Sequence, residues 1–565
     1  MEALLQKSEG RRREGEHEGT DTRKQVAERE RGERREREER REGRGMAKDV
    51  VVIGGGVGGL ASSIRLQKSG YRCRLIEKNA RTGGRMQSKV MRVGGGCDEK
   101  KRRGGGCREY RFDTGPSLLL FPQVYRETFQ EIGVELPDLL EVEPTAYRVI
   151  FEDAPPLDLL TDEDKMARQL DKVEAGAGES FGRMLKASRV ALEVGVDAFI
   201  ARSFASFADF INPVRLIPLL PKLFEGGIIN PLELLFPLDA WLRQFFESPH
   251  IRALFTFQTL YVGLTPFNAP SAFSLLAATE LTDGVWYPKG GFGQITEALD
   301  HAARDCGVVI DTETSVERVV VEDGRVRGVT LSSGKRIDAD IVICNADLPY
   351  AKRELLEGRS AAVDRSMEYS AGIIEFCWGV ADGLDGLSQH NVFLSREWED
   401  SWIRPGSAKG KLFPQVKSGN FYCHVPSKTD PSASTGNGHS VMILFPVAHK
   451  GELSGADYTE LVAWSREVIV QRFSQLGIDI EPAIECESIV TPDEWESDLN
   501  LQNGAAFGLS HGLSQLGWFR PGHHRRGGKD AEGLYYVGAS THPGNGVPLV
   551  LTGSRLVCSE ILSSA

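Results

Sequence analysis

A glycine-rich run near residue 54 has the residue types of a phosphate-binding turn. The segment GGGVGG at residues 54–59 follows the apolar run DVVVI and precedes a stretch with helical periodicity. In such a turn the first glycine permits a tight bend, the second lets the backbone approach a pyrophosphate, and the third allows close packing of helix on strand. The first amides of that helix add partial positive charge. The glycines alone are a weak signal and become specific only in a matching context.

An acidic residue supplies that context. Glu77 ends a second strand-like run, YRCRLIEK, a little over twenty residues after Gly54. A carboxylate at this spacing accepts hydrogen bonds from the hydroxyls of an adenosine ribose. Because Glu77 would repel the 2′-phosphate of NADP, the pattern leaves FAD and NAD as candidate cofactors.

Three further segments favour FAD. Gly84 and Arg85, just past Glu77, offer bare backbone and a guanidinium to the diphosphate or ribityl region. The run DTGP at residues 113–116 is a second flexible approach point. The third segment, residues 538–546, is a glycine-rich loop leading into a helix. The N-terminus of that helix can face the flavin pyrimidine, where negative charge accumulates on reduction.

The elements that must position these residues come from both ends of the chain. DVVVI predicts a buried parallel strand, the next segment predicts a helix with Leu60 and Ile64 on one face, and YRCRLIEK completes a βαβ unit. Residues 533–562 predict a strand, the glycine-rich loop and a helix that begins at Pro548. The sequence therefore predicts an α/β fold of the Rossmann type.

Composition excludes several classes of protein. The 565 residues include 68 Lys and Arg against 80 Asp and Glu, a formal charge of −12, so no global positive field attracts nucleic acid. No apolar run reaches the roughly eighteen residues that a spanning helix requires. The histidines lack ligand spacing, and neither a nucleophile elbow nor a Walker loop occurs. We expect no metal and no nucleic-acid partner, and we assign no catalytic residue.

The nine cysteines form no Cys-x-x-Cys pair, which fits neither a zinc site nor a secreted disulfide framework. Cys97 and Cys107 share a low-complexity insert, GGGCDEKKRRGGGC, which has the composition of a hairpin tip. Pairing of the two is conceivable, but we expect two unpaired thiols.

Taken together, the motifs resemble the bacterial and fungal phytoene desaturases. The resemblance spans about residues 48–562 and rests on VVIGGGVGGL, LIEKNARTGGR, FDTGPSLLL, VWYPKGGFG, ICNAD, FYCHVPSKTDPS and YYVGASTHPGNGVPLVLTGS. The last motif is the most specific, because other flavin amine oxidase relatives share the N-terminal glycines but not THPGNGVP. The resemblance implies a glutathione reductase-like, Rossmann-type FAD-binding fold of the flavin amine oxidase superfamily, with an interleaved α+β substrate domain.

The resemblance also implies an activity: FAD-dependent removal of hydrogen from a linear carotene such as phytoene, in carotenoid biosynthesis. Hydride would pass from an allylic carbon to flavin N5 with loss of a proton from the neighbouring carbon, which needs position more than strong acid–base residues. It further implies peripheral membrane attachment, with a quinone or oxygen as electron acceptor. The plastid or cytoplasmic membrane face and the oligomeric state stay open.

Site residues follow from the matched motifs. Asp239, Trp241 and Arg243 fall in the family's substrate region. The candidate cofactor ligands are Gly54, Gly56, Gly58, Gly59, Glu77, Lys78, Gly84, Arg85, Gly115, Pro116, Asn345, Gly538, Thr541, His542, Pro543, Gly546 and Val547.

Composition and motifs divide the chain into regions. Residues 1–45, rich in Arg and Glu with few apolar side chains, are expected to be disordered. A transit peptide is an alternative, as is an overextended start ahead of Met46. The expected FAD-binding domain comprises residues 46–150, 284–360 and 531–565, and the expected substrate domain includes residues 361–530. Residues 151–283 are expected to be helical and apolar, and to contact substrate or membrane.

Within that last region, the apolar stretch between Leu216 and Leu238 is broken by prolines and charges. It is either a core hairpin or a surface that dips into one leaflet and opens a substrate tunnel. Two alternative functions also stay open. One is a carotenoid cis–trans isomerase that uses reduced FAD, and the other is a non-catalytic flavoprotein or carotene carrier.

Overall fold

A computed structural model describes residues 47–94, 107–204, 206–356, 367–408, 418–523 and 531–564. The expectations for residues 1–45, for Met46 and for Cys97 lie outside these ranges. The chain separates into two units, Met1–Lys48 and Asp49–Ala565, and all elements below belong to the second.

The strands follow one another along the whole second unit. They are β1 (Asp49–Ile53), β2 (Arg72–Ile76), β3 (Ser88–Val93), β4 (Arg108–Asp113), β5 (Leu139–Glu141), β6 (Thr145–Phe151), β7 (Leu157–Leu160), β8 (Trp286–Pro288), β9 (Val309–Asp311), β10 (Val316–Glu322), β11 (Arg325–Leu331), β12 (Arg336–Asp338), β13 (Ile341–Cys344), β14 (Gly372–Val380), β15 (His390–Leu394), β16 (Phe421–His424), β17 (His439–Val447), β18 (Ile484–Val490) and β19 (Leu534–Tyr536).

The longer α-helices are α1 (Val57–Lys68), α2 (Pro122–Ile132), α3 (Glu163–Asp171), α4 (Ala177–Gly195), α5 (Leu275–Asp283), α6 (Gly293–Asp305), α7 (Tyr458–Gln475), α8 (Pro492–Leu499) and α9 (Val547–Ser563). Between α4 and α5 lie short helical segments, among them Phe207–Phe210, Pro213–Leu216, Leu220–Glu225, Pro231–Leu235, Leu238–Leu242, Pro249–Leu254 and Phe257–Val262.

A five-stranded parallel sheet joins distant parts of the sequence. Its order is β19-β13-β1-β2-β9, and each neighbouring pair is parallel. The buried apolar strand β1 lies at its centre, as its lack of polar alternation indicates. The predicted Rossmann-type α/β fold, with strands from both ends of the chain, is confirmed.

The first and last helices pack against each other beside this sheet. Ser62 of α1 donates to Ser554 of α9 at 2.9 Å, and Arg65 also donates to Ser554 at 2.8 Å. Arg65 also forms a bidentate ion pair with Glu131 of α2. The chain ends are therefore held together by buried polar contacts as well as by apolar packing. α9 begins at Val547, one residue before the predicted start.

A seven-stranded mixed sheet forms the other large layer, in the order β18-β14-β17-β16-β15-β6-β7. All neighbouring pairs are antiparallel except β15 and β6. Alternate side chains of β14, including Ile374, Phe376 and Trp378, pack in one buried cluster with α7 residues such as Leu461 and Phe473. The strand's remaining side chains face the opposite side of the sheet.

β6 and β7 belong to the seven-stranded sheet, although they precede the short helical segments in sequence. β6 pairs with β15 across more than two hundred residues of chain, Arg148 opposite Asn391. Residues 157–160 thus form a strand, although they lie inside the region expected to be helical.

The insert after Val93 sits at the end of a hairpin. β3 and β4 pair antiparallel, with Val93 opposite Arg108, and residues 95–106 lie outside the described ranges. Cys107 is disulfide-bonded, so the expectation that it is an unpaired thiol is wrong. The low-complexity sequence beside Cys107 gives no sign of this bond.

Three of the short helices between residues 207 and 235 begin with side-chain caps. Ser206, Asn212 and Asn230 each accept a hydrogen bond from an amide two or three residues ahead, and prolines follow two of these caps. In the described part of the chain, no helix is long and apolar enough to cross a membrane.

Candidate functional site

A cavity of about 1120 Å³ lies among the parallel sheet, the seven-stranded sheet and the helical region. All the expected cofactor ligands line it except Gly59. Its wall therefore brings together segments from residue 53 to residue 550.

The glycine turn leaves no space for side chains. Gly54 has φ = 95°, which favours glycine. A Cβ at Gly58 would lie 2.6 Å from Oδ1 of Asn345, and a Cβ at Gly59 would lie 2.2 Å from the carbonyl oxygen of Gly54. Gly59 thus allows α1 to pack on the turn, while Gly54, Gly56 and Gly58 line the cavity.

Asn345, at the end of β13, supports the same turn. Its Nδ2 donates to the carbonyl oxygen of Gly54 at 3.1 Å. The N-cap of α1 is Gly56, and no side chain caps that helix. Its first amides therefore remain available to a ligand, as a phosphate group requires.

Glu77 is buried at the end of β2 and fixes two loops. Its Oε2 accepts from the amide of Gly55 at 2.7 Å, and its Oε1 accepts from the amide of Asn79 at 2.8 Å. Each carboxylate oxygen keeps a lone pair for a further donor. Lys78 is anchored differently, because its Nζ donates to Ser497 and Asn500 at the end of α8.

Arg85 lies deep in the cavity wall, where burial lowers its pKa and Asp347 opposes that shift. Its Nη1 donates to the carbonyl oxygen of Ala506 at 2.8 Å. Gly115 passes so close to it that a Cβ would lie 2.4 Å from the Arg85 carbonyl oxygen. The residues at 84–85 and 115–116 therefore form one continuous patch of wall.

The C-terminal loop completes the polar end of the cavity. Thr541 Oγ1 donates to the Gly538 carbonyl oxygen at 2.8 Å, and His542 Nε2 lies 2.6 Å from the Arg202 carbonyl oxygen. Gly538 and Gly546 both have positive φ, at 139° and 91°. The loop then enters α9 at Val547 with no side-chain cap, which again leaves helix amides toward the cavity.

Sequence reasoning missed the residue that holds this loop. Arg520 is fully buried and donates to carbonyl oxygens of Leu509, Ser510, Gln515, Ala539 and Thr541. Burial lowers its pKa to about 9. Nothing in its local sequence, WFRPG, distinguishes it from a surface arginine.

Two further carboxylates in the wall were also missed. Asp347 accepts from Ser540 Oγ at 2.6 Å and from the Gln502 amide at 3.1 Å. Glu375 lies in the otherwise apolar strand GIIEFCWGV, and a charged residue in such a run is a signal that could have singled it out.

The expected substrate residues lie elsewhere. Asp239 is buried and pairs with Arg243 at 3.0 Å and with Arg252 at 3.2 Å, while Trp241 packs in the main apolar core. Asp239, Trp241 and Arg243 are not among the described residues that line the cavity.

The rest of the cavity is apolar and is contributed largely by the helical region. Representative lining residues are Phe210, Leu216, Leu219, Leu223, Leu234 and Leu235. The cavity therefore combines a polar end suited to a dinucleotide with an extended apolar part.

The cradle fits a flavin dinucleotide on three observations: glycines without space for a Cβ, two uncapped helix N-termini and a buried carboxylate with spare acceptor capacity. The family model described as flavin-containing amine oxidoreductase matches residues 57–562. The chain belongs to this family of flavoproteins. The expected FAD dependence is confirmed, and the enzyme is an oxidoreductase.

Curated relatives agree with the expected resemblance. This flavoprotein is 36% identical to a phytoene desaturase of Fusarium fujikuroi, over 92% of this chain and 90% of the relative. It is 32% identical to a zeta-carotene-forming phytoene desaturase of Myxococcus xanthus, over 91% of this chain and 94% of the relative. The resemblance to phytoene desaturases is confirmed.

A solved structure supports the fold. An oxidoreductase from Methanosarcina mazei superposes with a TM-score of 0.57 at 17% identity, covering 90% of this chain and all of the other. This flavoprotein thus shares its architecture with a protein whose sequence has diverged widely.

Proposed function

We propose that the protein is an FAD-dependent desaturase of a linear carotene such as phytoene. The observation that carries this proposal is a single cavity that joins the dinucleotide cradle to an extended apolar part. An apolar, elongated substrate can thus lie beside the flavin without leaving the protein. Relatives with 32–36% identity act on phytoene by name.

Bound FAD supplies the acceptor for a hydride from the substrate. The chain's own residues would bind and orient the cofactor. Glu77 and the glycine turn would hold the adenosine and pyrophosphate, and the C-terminal loop with the first turn of α9 would hold the pyrimidine. Arg85 and Gly115 line the part of the cavity between the glycine turn and the C-terminal loop. The leucine and phenylalanine side chains of the helical region position the polyene and exclude water.

Membrane contact is a finer part of the proposal. Several side chains between residues 207 and 236 are both apolar and exposed, including Val214, Ile217, Ile229, Leu232, Leu235 and Phe236. Leu235 and its neighbours Leu216 and Leu234 also line the cavity. The same segment thus supplies a surface suited to one leaflet and a wall of the cavity, so a membrane-dissolved carotene would enter here.

The test uses the FAD-loaded, full-length protein and phytoene dissolved in liposomes, without oxygen. We expect the flavin to bleach on addition of phytoene and, with a quinone or oxygen present, red-shifted carotene products at more than one turnover per flavin. Isomers of unchanged hydrogen content, formed only after prior reduction of the flavin, would replace the proposal with the isomerase. Phytoene binding without bleaching would replace it with a carrier.

A further inference from the structure

Glu375 lies where the apolar strand β14 passes under the cavity. Its neighbours Ile374 and Phe376 pack under α7 on the other side of the sheet. Because side chains alternate along a strand, Glu375 faces the cavity, as does Ile373. The register continues this row across the sheet, from Glu375 to Leu444 and on to Tyr422, and all three line the cavity.

The carboxylate of Glu375 is buried with one oxygen unused. Oε1 accepts from Sγ of Cys377 at 3.2 Å, whereas Oε2 has no hydrogen-bond partner. A buried carboxylate oxygen without a hydrogen-bond partner destabilises the folded state. A catalytic role is one explanation for such a group.

The other described carboxylates that line the cavity are occupied. Both oxygens of Glu77 accept backbone amides, and both oxygens of Asp347 accept donors as well. Among these three, Glu375 alone has a carboxylate oxygen without a hydrogen-bond partner.

Tyr422 and His511, in the same wall, are poorer proton acceptors. Tyr422 has its pKa raised well above the ordinary value by burial, so it stays protonated. His511 uses both ring nitrogens, with Nδ1 near the Val262 carbonyl oxygen and Nε2 accepting from the Asn545 amide.

We propose that Glu375 is a catalytic residue, the base that takes the proton from the substrate carbon next to the one that loses hydride. This inference rests on the proposed desaturase function. One C–H bond breaks with its electron pair leaving as hydride to FAD. The neighbouring C–H bond breaks with its proton going to Oε2 of Glu375, and its electron pair forms the new C=C bond. The substrate is oxidised by two electrons and FAD is reduced by two.

The electrostatic surroundings suit this task. The pKa of Glu375 is raised to about 7, mainly by burial and to a lesser degree by Asp113 on β4, against the lowering effects of Cys377 on β14 and Lys89 on β3. A carboxylate of this basicity is a far better proton acceptor at neutral pH than a solvated one. Since only the ionised form accepts a proton, the reaction should accelerate as the pH rises through about 7.

The experiment compares the wild-type protein with Glu375→Gln, both full-length and FAD-loaded, with phytoene in liposomes and no oxygen. E375Q should keep its flavin and bind phytoene, yet reduce flavin roughly 10²- to 10⁴-fold more slowly. Its rate should also lose the rise with pH that the wild-type protein shows. Glu280→Gln is the matched control, because Glu280 is an equally buried carboxyl that does not line the cavity, and its rate should equal that of the wild-type protein.

A second readout is independent of turnover. An infrared difference titration of the FAD-loaded wild-type protein against E375Q should show a protonated carboxyl band that disappears as the pH passes about 7. Glu375→Asp, which keeps the carboxyl on a shorter side chain, should retain a reduced but still pH-dependent rate. If E375Q does not fold, E375D is compared with the wild-type protein instead.

Three results would overturn the inference while leaving the desaturase intact: wild-type rates in E375Q, loss of flavin from E375Q, or no titrating carboxyl in the infrared comparison. Equal slowing in E280Q would also overturn it, because removal of any buried carboxyl would then suffice. If the wild-type flavin is not bleached by phytoene, the proposed function fails and this inference fails with it.

Discussion

Glu77 holds the fold with the same two oxygens that we propose for the cofactor. The hydrogen bonds that it accepts from the backbone amides of Gly55 and Asn79 hold the glycine turn against the end of β2. The remaining lone pairs are available to the ribose hydroxyls. Replacing the carboxylate by an amide keeps one acceptor oxygen and turns the other into a donor that faces backbone N–H.

Glu77→Gln should therefore weaken FAD binding by roughly 10- to 100-fold, the equivalent of a charge-assisted hydrogen bond of about 1.5–3 kcal/mol. Flavin titration of the apoprotein, followed by fluorescence, measures the change. The control is Glu322→Gln, which removes an exposed carboxylate paired with Arg336 in the β10–β11 hairpin region and should leave affinity unchanged. Unaltered affinity in E77Q would remove Glu77 from the cofactor site.

Glu280 gives a prediction for stability. Burial raises its pKa from about 4.5 to about 8, so the folded protein keeps this proton while the unfolded chain loses it. Between these two pH values, the free energy of unfolding should fall with rising pH by up to about 1.4 kcal/mol per pH unit on account of this group. The decline ends above the folded pKa.

Glu280→Gln removes that titration. Urea unfolding at several pH values should show that the free energy of unfolding of E280Q increases relative to that of the wild-type protein as the pH rises from about 4.5 to about 8. A constant difference between the two proteins across this range would show that Glu280 is already ionised in the folded state.

Residues differ in how far sequence could find them. Glu77 was found because its distance from Gly54 along the chain is fixed by one βαβ unit. Glu375 carries a local signal, but its role depends on the packing of α7 on one face of β14 and of the cavity on the other. Arg520 has no local signal, since its five acceptors come from other parts of the loop system.

The junction of β1 and α1 sets a tight packing constraint. Gly59→Ala would place a Cβ 2.2 Å from the Gly54 carbonyl oxygen, so the turn and the helix must separate. We expect loss of bound FAD and a marked drop in Tm, measured by flavin content and thermal unfolding.

Gly182→Ala is the matched control for that substitution. Gly182 lies in α4, and a Cβ there would meet nothing within 4 Å. Since alanine favours helix over glycine, G182A should be neutral or stabilise by about 0.5–1 kcal/mol. Retention of FAD and stability in G59A would mean that the turn is not held as the structure has it.

Local pattern predicted the elements whose partners are close in sequence. The βαβ unit and the C-terminal strand, loop and helix appear in the structure. β6 and β7 were not anticipated, because β6 gains its partner β15 only through the tertiary fold. The disulfide at Cys107 was missed for a similar reason.

The molecule as a whole places its exposed apolar side chains unevenly. Many of them lie between residues 207 and 236, joined by Leu513 and Phe519, and those two also line the cavity. The prolines and charges of the sequence predicted an apolar region too interrupted to span a bilayer, but they left open whether the region was a core hairpin or a surface. The exposures favour a surface, and a double substitution can decide its role.

Ile229→Asp combined with Leu232→Asp tests this surface without disturbing the core, because the two side chains are 80% and 62% exposed. Charges there would have to enter the leaflet, so we expect the double variant to be released from liposomes that retain the wild-type protein. It should keep FAD and its Tm.

Val309→Asp with Leu476→Asp, at positions 50% and 41% exposed in β9 and at the end of α7, controls for added charge and should stay bound. Turnover of liposomal phytoene should fall with binding in the first pair alone, whereas phytoene delivered in detergent should be consumed equally by all three proteins. Liposome binding that survives I229D/L232D would place the membrane contact elsewhere on the molecule.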